Sequence, residues 1–66
     1  MDKNIQLYGK IWVNQMVKSF ERGDSVSGNN KLSTLPTYIG EYVEGMIRDN
    51  KTASEIYEYI QEQLNP

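Results

Sequence analysis

Glu55, Glu58 and Glu62 recur three and four residues apart near the C-terminus, a spacing that lines carboxylates along one side of a helix. Carboxylates so placed could gather a cation. One exposed helix face nevertheless lacks the roughly six or more oxygens that calcium takes. The sequence has no Cys and no His. It therefore offers no thiolate nucleophile, no imidazole base near neutral pH and none of the usual zinc or copper ligands. Lys, Tyr, Ser and carboxylates could still act, but a chain of 66 residues can hardly form a concave pocket as well as a core. There is no phosphate-cradling Gly-rich loop ending in Lys-Ser/Thr, and no D-x-D-x-D-G calcium loop. These absences point to a non-enzymatic chain with no cofactor, no catalytic residues and no metal site.

A chain this short makes one small domain. It buries only about 60% of the surface its unfolded form exposes. Domains of this size usually need a disulfide, a metal or a partner to be robust. The first two are removed by composition, which leaves a partner chain. The formal charge is −2 and is unevenly spread. Residues 1–34 carry five cations against three anions, 5 − 3 = +2, and residues 35–66 carry two against six, 2 − 6 = −4. The two halves can attract each other within a chain or across a dimer, or the acidic half can face a basic partner. The first apolar stretch, "LYGKIWV", is short and broken by Lys10, unlike a signal segment or a membrane span. A cytoplasmic protein with no membrane partner is expected, since no Cys suggests an oxidising compartment.

The elements that must position any site read as all-α: three helices, with a long polar loop between the first and the second. The first helix is expected over about 4–22, where Ile5, Tyr8, Trp12, Met16 and Phe20 recur at three or four residues. Gly9 and Val13 share that face, and Gly9 suggests a close approach there. Leu7 and Ile11 fall almost opposite, among Lys10, Asn14 and Lys18, and are expected at the surface. Residues 23–34, "GDSVSGNNKLST", read as a loop or mobile linker. Arg22-Gly23-Asp24 spells the tripeptide read by integrins, a match that is frequent by chance. The second helix is expected over about 36–49, with Pro36 in its first turn and Tyr38, Ile39, Tyr42, Val43, Met46 and Ile47 on one face. Asp49, Asn50 and Lys51 make a tight turn. The third helix, about 53–64, opens on a Thr52/Glu55 capping box. It turns Ala53, Ile56, Tyr57, Ile60 and Leu64 inward and its three Glu outward. Tyr59 lies at its flank and is the tyrosine most readily placed at the surface.

The stretch "KLSTLPTYIGEYVEGMIRDNKTASEIYEYIQEQL" resembles ribbon-helix-helix repressors and antitoxins over about half the chain. In that family a short strand leads into a helix, a turn and a second helix that often opens with S-x-S-E. Thr52-Ala53-Ser54-Glu55 stands at that second opening. The resemblance implies a strand over 30–35 and a dimer that reads DNA. The expected strand has one basic residue and poor β-propensity. In addition, "TASEIYEYI" is similar to the supporting helix of helix-turn-helix and winged-helix domains. That likeness implies a recognition helix a few residues on, where the sequence holds only Asn65 and Pro66. Phosphate contacts by Lys and Arg dominate DNA affinity, and the half that carries both likenesses has a charge of −4. The cations that could meet DNA are Lys10, Lys18, Arg22 and Lys31.

The composition therefore favours a small regulator or inhibitor that docks on another protein, as a homo-oligomer or a hetero-complex. Short, Cys-free, acidic chains of this kind are common among phage and mobile-element products. A dimeric DNA-binding repressor or antitoxin of ribbon-helix-helix type comes second, and a purely structural subunit third. The residues expected to meet the partner are Leu7, Ile11, Trp12, Lys18 and Tyr59. Trp12 also shares the face of Ile5 and Met16 and is expected in the core.

Overall fold

The computed structural model describes residues 7–65. Among these the all-α expectation holds, with four helices and no strand: α1 Lys10–Glu21, α2 Ser25–Leu32, α3 Thr37–Arg48 and α4 Ala53–Leu64. Each packs chiefly on its two neighbours, in the ring α1–α2–α3–α4–α1. Trp12, Val13 and Met16 of α1, Leu32 of α2, Ile39 and Val43 of α3, and Ile56 and Ile60 of α4 form the core, with Leu35 closing it from the α2–α3 connection.

The polar stretch expected as a loop contains α2, which corrects the three-helix expectation. Gly, Ser and Asn give this segment low intrinsic helicity. It is helical because both of its ends are organised. Arg22, Gly23 and Asp24 terminate α1 with two reversed hydrogen bonds: the Asp24 N–H donates to the Ser19 carbonyl at 2.8 Å, and the Gly23 N–H to Phe20 at 3.1 Å. That pairing needs a left-handed residue, which Gly23 supplies at φ +83°. The integrin-like tripeptide is thus a helix stop. Asp24 then caps α2, its carboxylate accepting from the Ser27 N–H at 3.2 Å. Asn30, Lys31 and Leu32 are the last turn of α2, and Ser33, Thr34 and Leu35 make the turn to α3. The strand expected over 30–35 does not form, and with it goes the ribbon of the ribbon-helix-helix arrangement.

Helix α1 begins at Lys10, and residues 4–6 of the expected helix lie outside the described residues. Gly9 is its N-cap, in extended conformation at φ −81° and ψ 177°, and is not a helical contact point. Tyr8 precedes it in the left-handed region at φ +65°. Three ties hold this strained residue. Its hydroxyl donates to the Thr34 carbonyl. Its own carbonyl accepts from Gln61 Nε2 at 3.0 Å. Its ring stands edge-on to Trp12 with centroids 5.0 Å apart. One residue therefore joins the start of α1 to the α2–α3 turn and to α4.

Helix α3 stops as α1 does. The expected tight turn places Asn50 at φ +60°, with the Lys51 N–H donating to Met46 at 2.9 Å and the Asn50 N–H to Ile47 at 3.1 Å. Pro36 is the N-cap, one residue before the first turn. The capping box of α4 is present in both directions: the Glu55 N–H donates to Thr52 Oγ1 at 3.1 Å, and the Thr52 N–H donates to Glu55 Oε1 at 3.0 Å. Leu64, expected inside, is 36% exposed at the end of α4.

The two caps set an acid response. The Ser27 N–H and then its hydroxyl hold the Asp24 carboxyl below its ordinary 3.8, helped by Arg22 and Lys31. The Thr52 N–H and then its hydroxyl hold Glu55 below its ordinary 4.5, helped by Lys51. A carboxyl with a lowered folded pKa stabilises the fold above its unfolded pKa, and that stabilisation is lost as pH falls through the folded value. The urea midpoint should therefore hold steady above 4.5 and decline below 3.8. At neutral pH Thr52→Ala should cost about 1 kcal/mol, and its midpoint should decline less on acidification. Alanine keeps the N–H of residue 52, so equal acid slopes in the two proteins would show that the Thr52 hydroxyl carries none of the response.

Candidate functional site

The described surface carries an aromatic face on α3 and α4 and a cationic cleft between α1 and α2, besides a groove at Ile11 and an open hollow of about 340 Å³ where α2 meets α3, lined by Asn29, Leu32, Leu35, Gly40, Glu41 and Glu44. The sequence placed Tyr38, Ile39, Tyr42, Val43, Met46 and Ile47 on one buried face. The structure divides that set. Ile39 and Val43 are fully buried, and Met46 and Ile47 are partly so, whereas Tyr38 and Tyr42 are 62% and 58% exposed. One residue is a step of about 100° around a helix. The tyrosine row therefore lies beside the aliphatic row, at the rim, where the hydroxyls keep water. Tyr59 reaches across from α4. Its ring lies 4.4 Å from that of Tyr42, tilted by 31°. Burial, then Tyr42 and Tyr38, push the Tyr59 hydroxyl above its ordinary 10.0. Tyr59 is thus half-buried, and the most exposed tyrosines are its partners. The signal that could have found them is the i, i+4 pair of tyrosines next to acidic Glu41.

Acidic groups border this face. Glu41 and Asp49 line a shallow hollow with Tyr42, Gly45, Met46 and Lys51. On α4, Glu55 and Glu62 stand one turn either side of Tyr59. Rings with an electron-rich face and an acidic border attract cations.

Leu7 and Ile11 are at the surface as expected, 62% and 54% exposed. Ile11 shares a shallow groove of about 260 Å³ with Lys10, Asn14, Ala53, Ser54 and Tyr57. Lys10 Nζ lies 5.6 Å from the centre of the Tyr57 ring. Trp12 sits in the core against Tyr8. Of the five residues expected to meet a partner, Leu7 and Ile11 lie near the start of α1, Trp12 lies inside, and Tyr59 lies on α4. The structure does not bring them into one site.

Lys18 belongs to the cationic feature. With Gln15, Ser19 and Arg22 of the α1 side and Ser27 and Lys31 of α2, it lines a cleft of about 250 Å³. The buried Ser19 hydroxyl donates to the Gln15 carbonyl at 2.9 Å and accepts from Arg22 Nη2 at 3.4 Å. The folding of 23–34 into α2 is what carries Lys31 to Lys18 and Arg22. Lys10 points elsewhere, over Tyr57.

No known protein family, no curated protein and no solved structure matches this chain. Among the described residues no helix is long and apolar enough to cross a membrane, and no group of His, Cys, Asp and Glu is placed to hold a metal ion.

Proposed function

We propose that this chain is a small cytoplasmic regulator that acts by binding another protein, through the tyrosine face of α3 and α4. The observation that carries this reading is the cluster of Tyr38, Tyr42 and Tyr59, with two of the three rings more than half exposed. A folded chain gains little by leaving large rings in water, and stacked tyrosines lose little rotamer freedom on binding. That is why Tyr is enriched at interfaces and dominates their energetics. The acidic border selects a partner segment rich in Lys or Arg set among aliphatic side chains. The exposed pair Leu7 and Ile11 enlarges the apolar surface on the other flank of α4.

The test is a tagged pull-down from lysate of the encoding cell at moderate and high salt, with the wild type beside Tyr42→Ala and Ile11→Asp. One protein retained by the wild type at high salt and lost from Tyr42→Ala is the expected result. A central aromatic truncation should cost about 2 kcal/mol or more of binding. Loss from Ile11→Asp as well would extend the interface onto α1. Nucleic acid that washes off with salt, with no protein retained, would overturn the docking reading in favour of nucleic-acid binding by a helical surface.

A further inference from the structure

The cleft between α1 and α2 is cationic in a chain whose net charge is −2. Three of its seven Lys and Arg residues, Lys18, Arg22 and Lys31, line this one hollow. Like charges so placed repel one another, and the last-turn positions of Lys18 in α1 and Lys31 in α2, where the helix dipole favours a cation, offset that repulsion only in part. Among the described residues neither Lys18 nor Lys31 is paired with a carboxylate. Arg22 meets Asp24 only at 3.8 Å, the outer edge of an ion pair. The Asp24 carboxylate is already engaged with the Ser27 N–H as the cap of α2.

Arg22 leans toward α1: one guanidinium nitrogen lies 3.4 Å from the buried Ser19 hydroxyl, a long contact on a side chain that is 61% exposed. That contact uses one of about five N–H donors and leaves the planar fork for a ligand with matching oxygens. Ser19 is the single buried polar side chain of the described core. Its hydroxyl bridges Gln15 and Arg22, both of which line the cleft.

We infer that this cleft binds a phosphomonoester, either free or carried by a larger molecule. The signs match: the cleft lining holds three cations and no carboxylate, and a phosphomonoester carries about −1.5 to −2 at neutral pH. The size is compatible, though it is shared by the hollows at Ile11 and at Tyr42 and so does not single this cleft out. At about 250 Å³ the cleft is smaller than pockets that enclose whole cofactors, and suits a charged head group whose carrier extends into solvent. A nucleic-acid backbone fits less well. Its single charges are spaced along a strand and call for a basic stripe. Beyond this cleft the helices carry Glu41, Glu44, Glu58 and Glu62, and Lys10 is turned to Tyr57. The site is separate from the tyrosine face and stands whether or not that face docks a protein.

The experiment is a backbone amide and Arg side-chain titration by NMR with inorganic phosphate and with phosphoserine, at ionic strength held constant with sodium chloride. Wild type is compared with Arg22→Gln, with Lys31→Gln and with Lys51→Gln as the remote control. The expected result is saturable shifts confined to residues 15–31, weakened about tenfold by either cleft variant and unchanged by Lys51→Gln. Lys31 sits on the α2 surface, so its variant tests the site even if Arg22→Gln disturbs the α1 stop. Equal saturation by both probes marks free phosphate as sufficient; tighter binding of phosphoserine marks a carried one. Linear shifts, shifts that chloride reproduces, or equal weakening by Lys51→Gln would overturn the inference. So would a short oligonucleotide that binds through the same residues more tightly than phosphoserine, which would assign the cleft to phosphodiesters.

Discussion

Replacing Ile56 by Ala should lower the unfolding free energy by about 3 kcal/mol. Ile56 is fully buried on α4, within one cluster that includes Trp12, Val13 and Met16 of α1 and Ile39 and Val43 of α3. Removing its outer carbons loses transfer free energy and leaves a cavity that three helices border. At roughly 0.05–0.15 kcal/mol per residue, a chain of 66 residues has little stability in hand. The variant should therefore show a large fall in urea midpoint and pre-transition fraying at room temperature. Val26→Ala is the control. Val26 is 71% exposed on α2, and its truncation should stay within about 0.5 kcal/mol of wild type. If Ile56→Ala cost under about 1 kcal/mol, the four helices would have to collapse freely around the void, and the interior would be loosely packed.

The parts of this fold legible in sequence are those where the local signal and the tertiary environment agree. Thr52 and Glu55 read as a capping box because both partners of the bond lie within four residues, and the box is there. Trp12, Val13 and Met16 repeat at helical spacing and are buried, while Leu7 and Ile11, out of phase with them, are exposed. Helix α2 was hidden because its own residues argue against it. Ser25, Ser27, Gly28, Asn29 and Asn30 favour caps and turns, where their side chains compete for backbone groups. What makes them helical is supplied from outside: the stop at Gly23, the cap from Asp24, and packing of Gly28 and Leu32 on α1 and α3. Local hints were present in Gly23-Asp24, a stop followed by a cap, and in Lys31 in the last turn. The candidate sites follow the same division. Exposure of Leu7, Ile11 and Lys18 could be read from periodicity. The cationic cleft could not, since it exists only once α2 folds back on α1. The tyrosine face was lost because Tyr42 and Val43 are neighbours in sequence and a short apolar run does not say which row meets the core.

Gly28→Ala and Gly45→Ala should move stability in opposite directions. Both lie inside helices, where Ala is favoured over Gly by about 1 kcal/mol. A side-chain carbon at Gly45 would meet nothing within 4 Å, so that variant should gain up to about 1 kcal/mol. The same carbon at Gly28 would lie 2.6–2.8 Å from three ring carbons of Phe20 on α1. Overpacking of this kind costs about 1–3 kcal/mol, which exceeds the helix gain, so Gly28→Ala should lose about 1 kcal/mol net. Phe20 is partly buried against the core, and its ring can yield only by leaving that contact or by parting the helices. Phe20→Leu should relieve the clash. The double variant should be more stable than the sum of the single changes predicts, by about 1 kcal/mol. Thermal melts of the four proteins check this. A Gly28→Ala protein as stabilised as Gly45→Ala would mean that the Phe20 ring swings aside freely and that α1 and α2 are not held at close range. The same spacing sets the separation of Lys18 and Arg22 from Lys31 across the cleft. If the phosphomonoester site depends on that separation, Gly28→Ala should weaken phosphate binding and Phe20→Leu should restore it in the double variant, while Gly45→Ala leaves it unchanged.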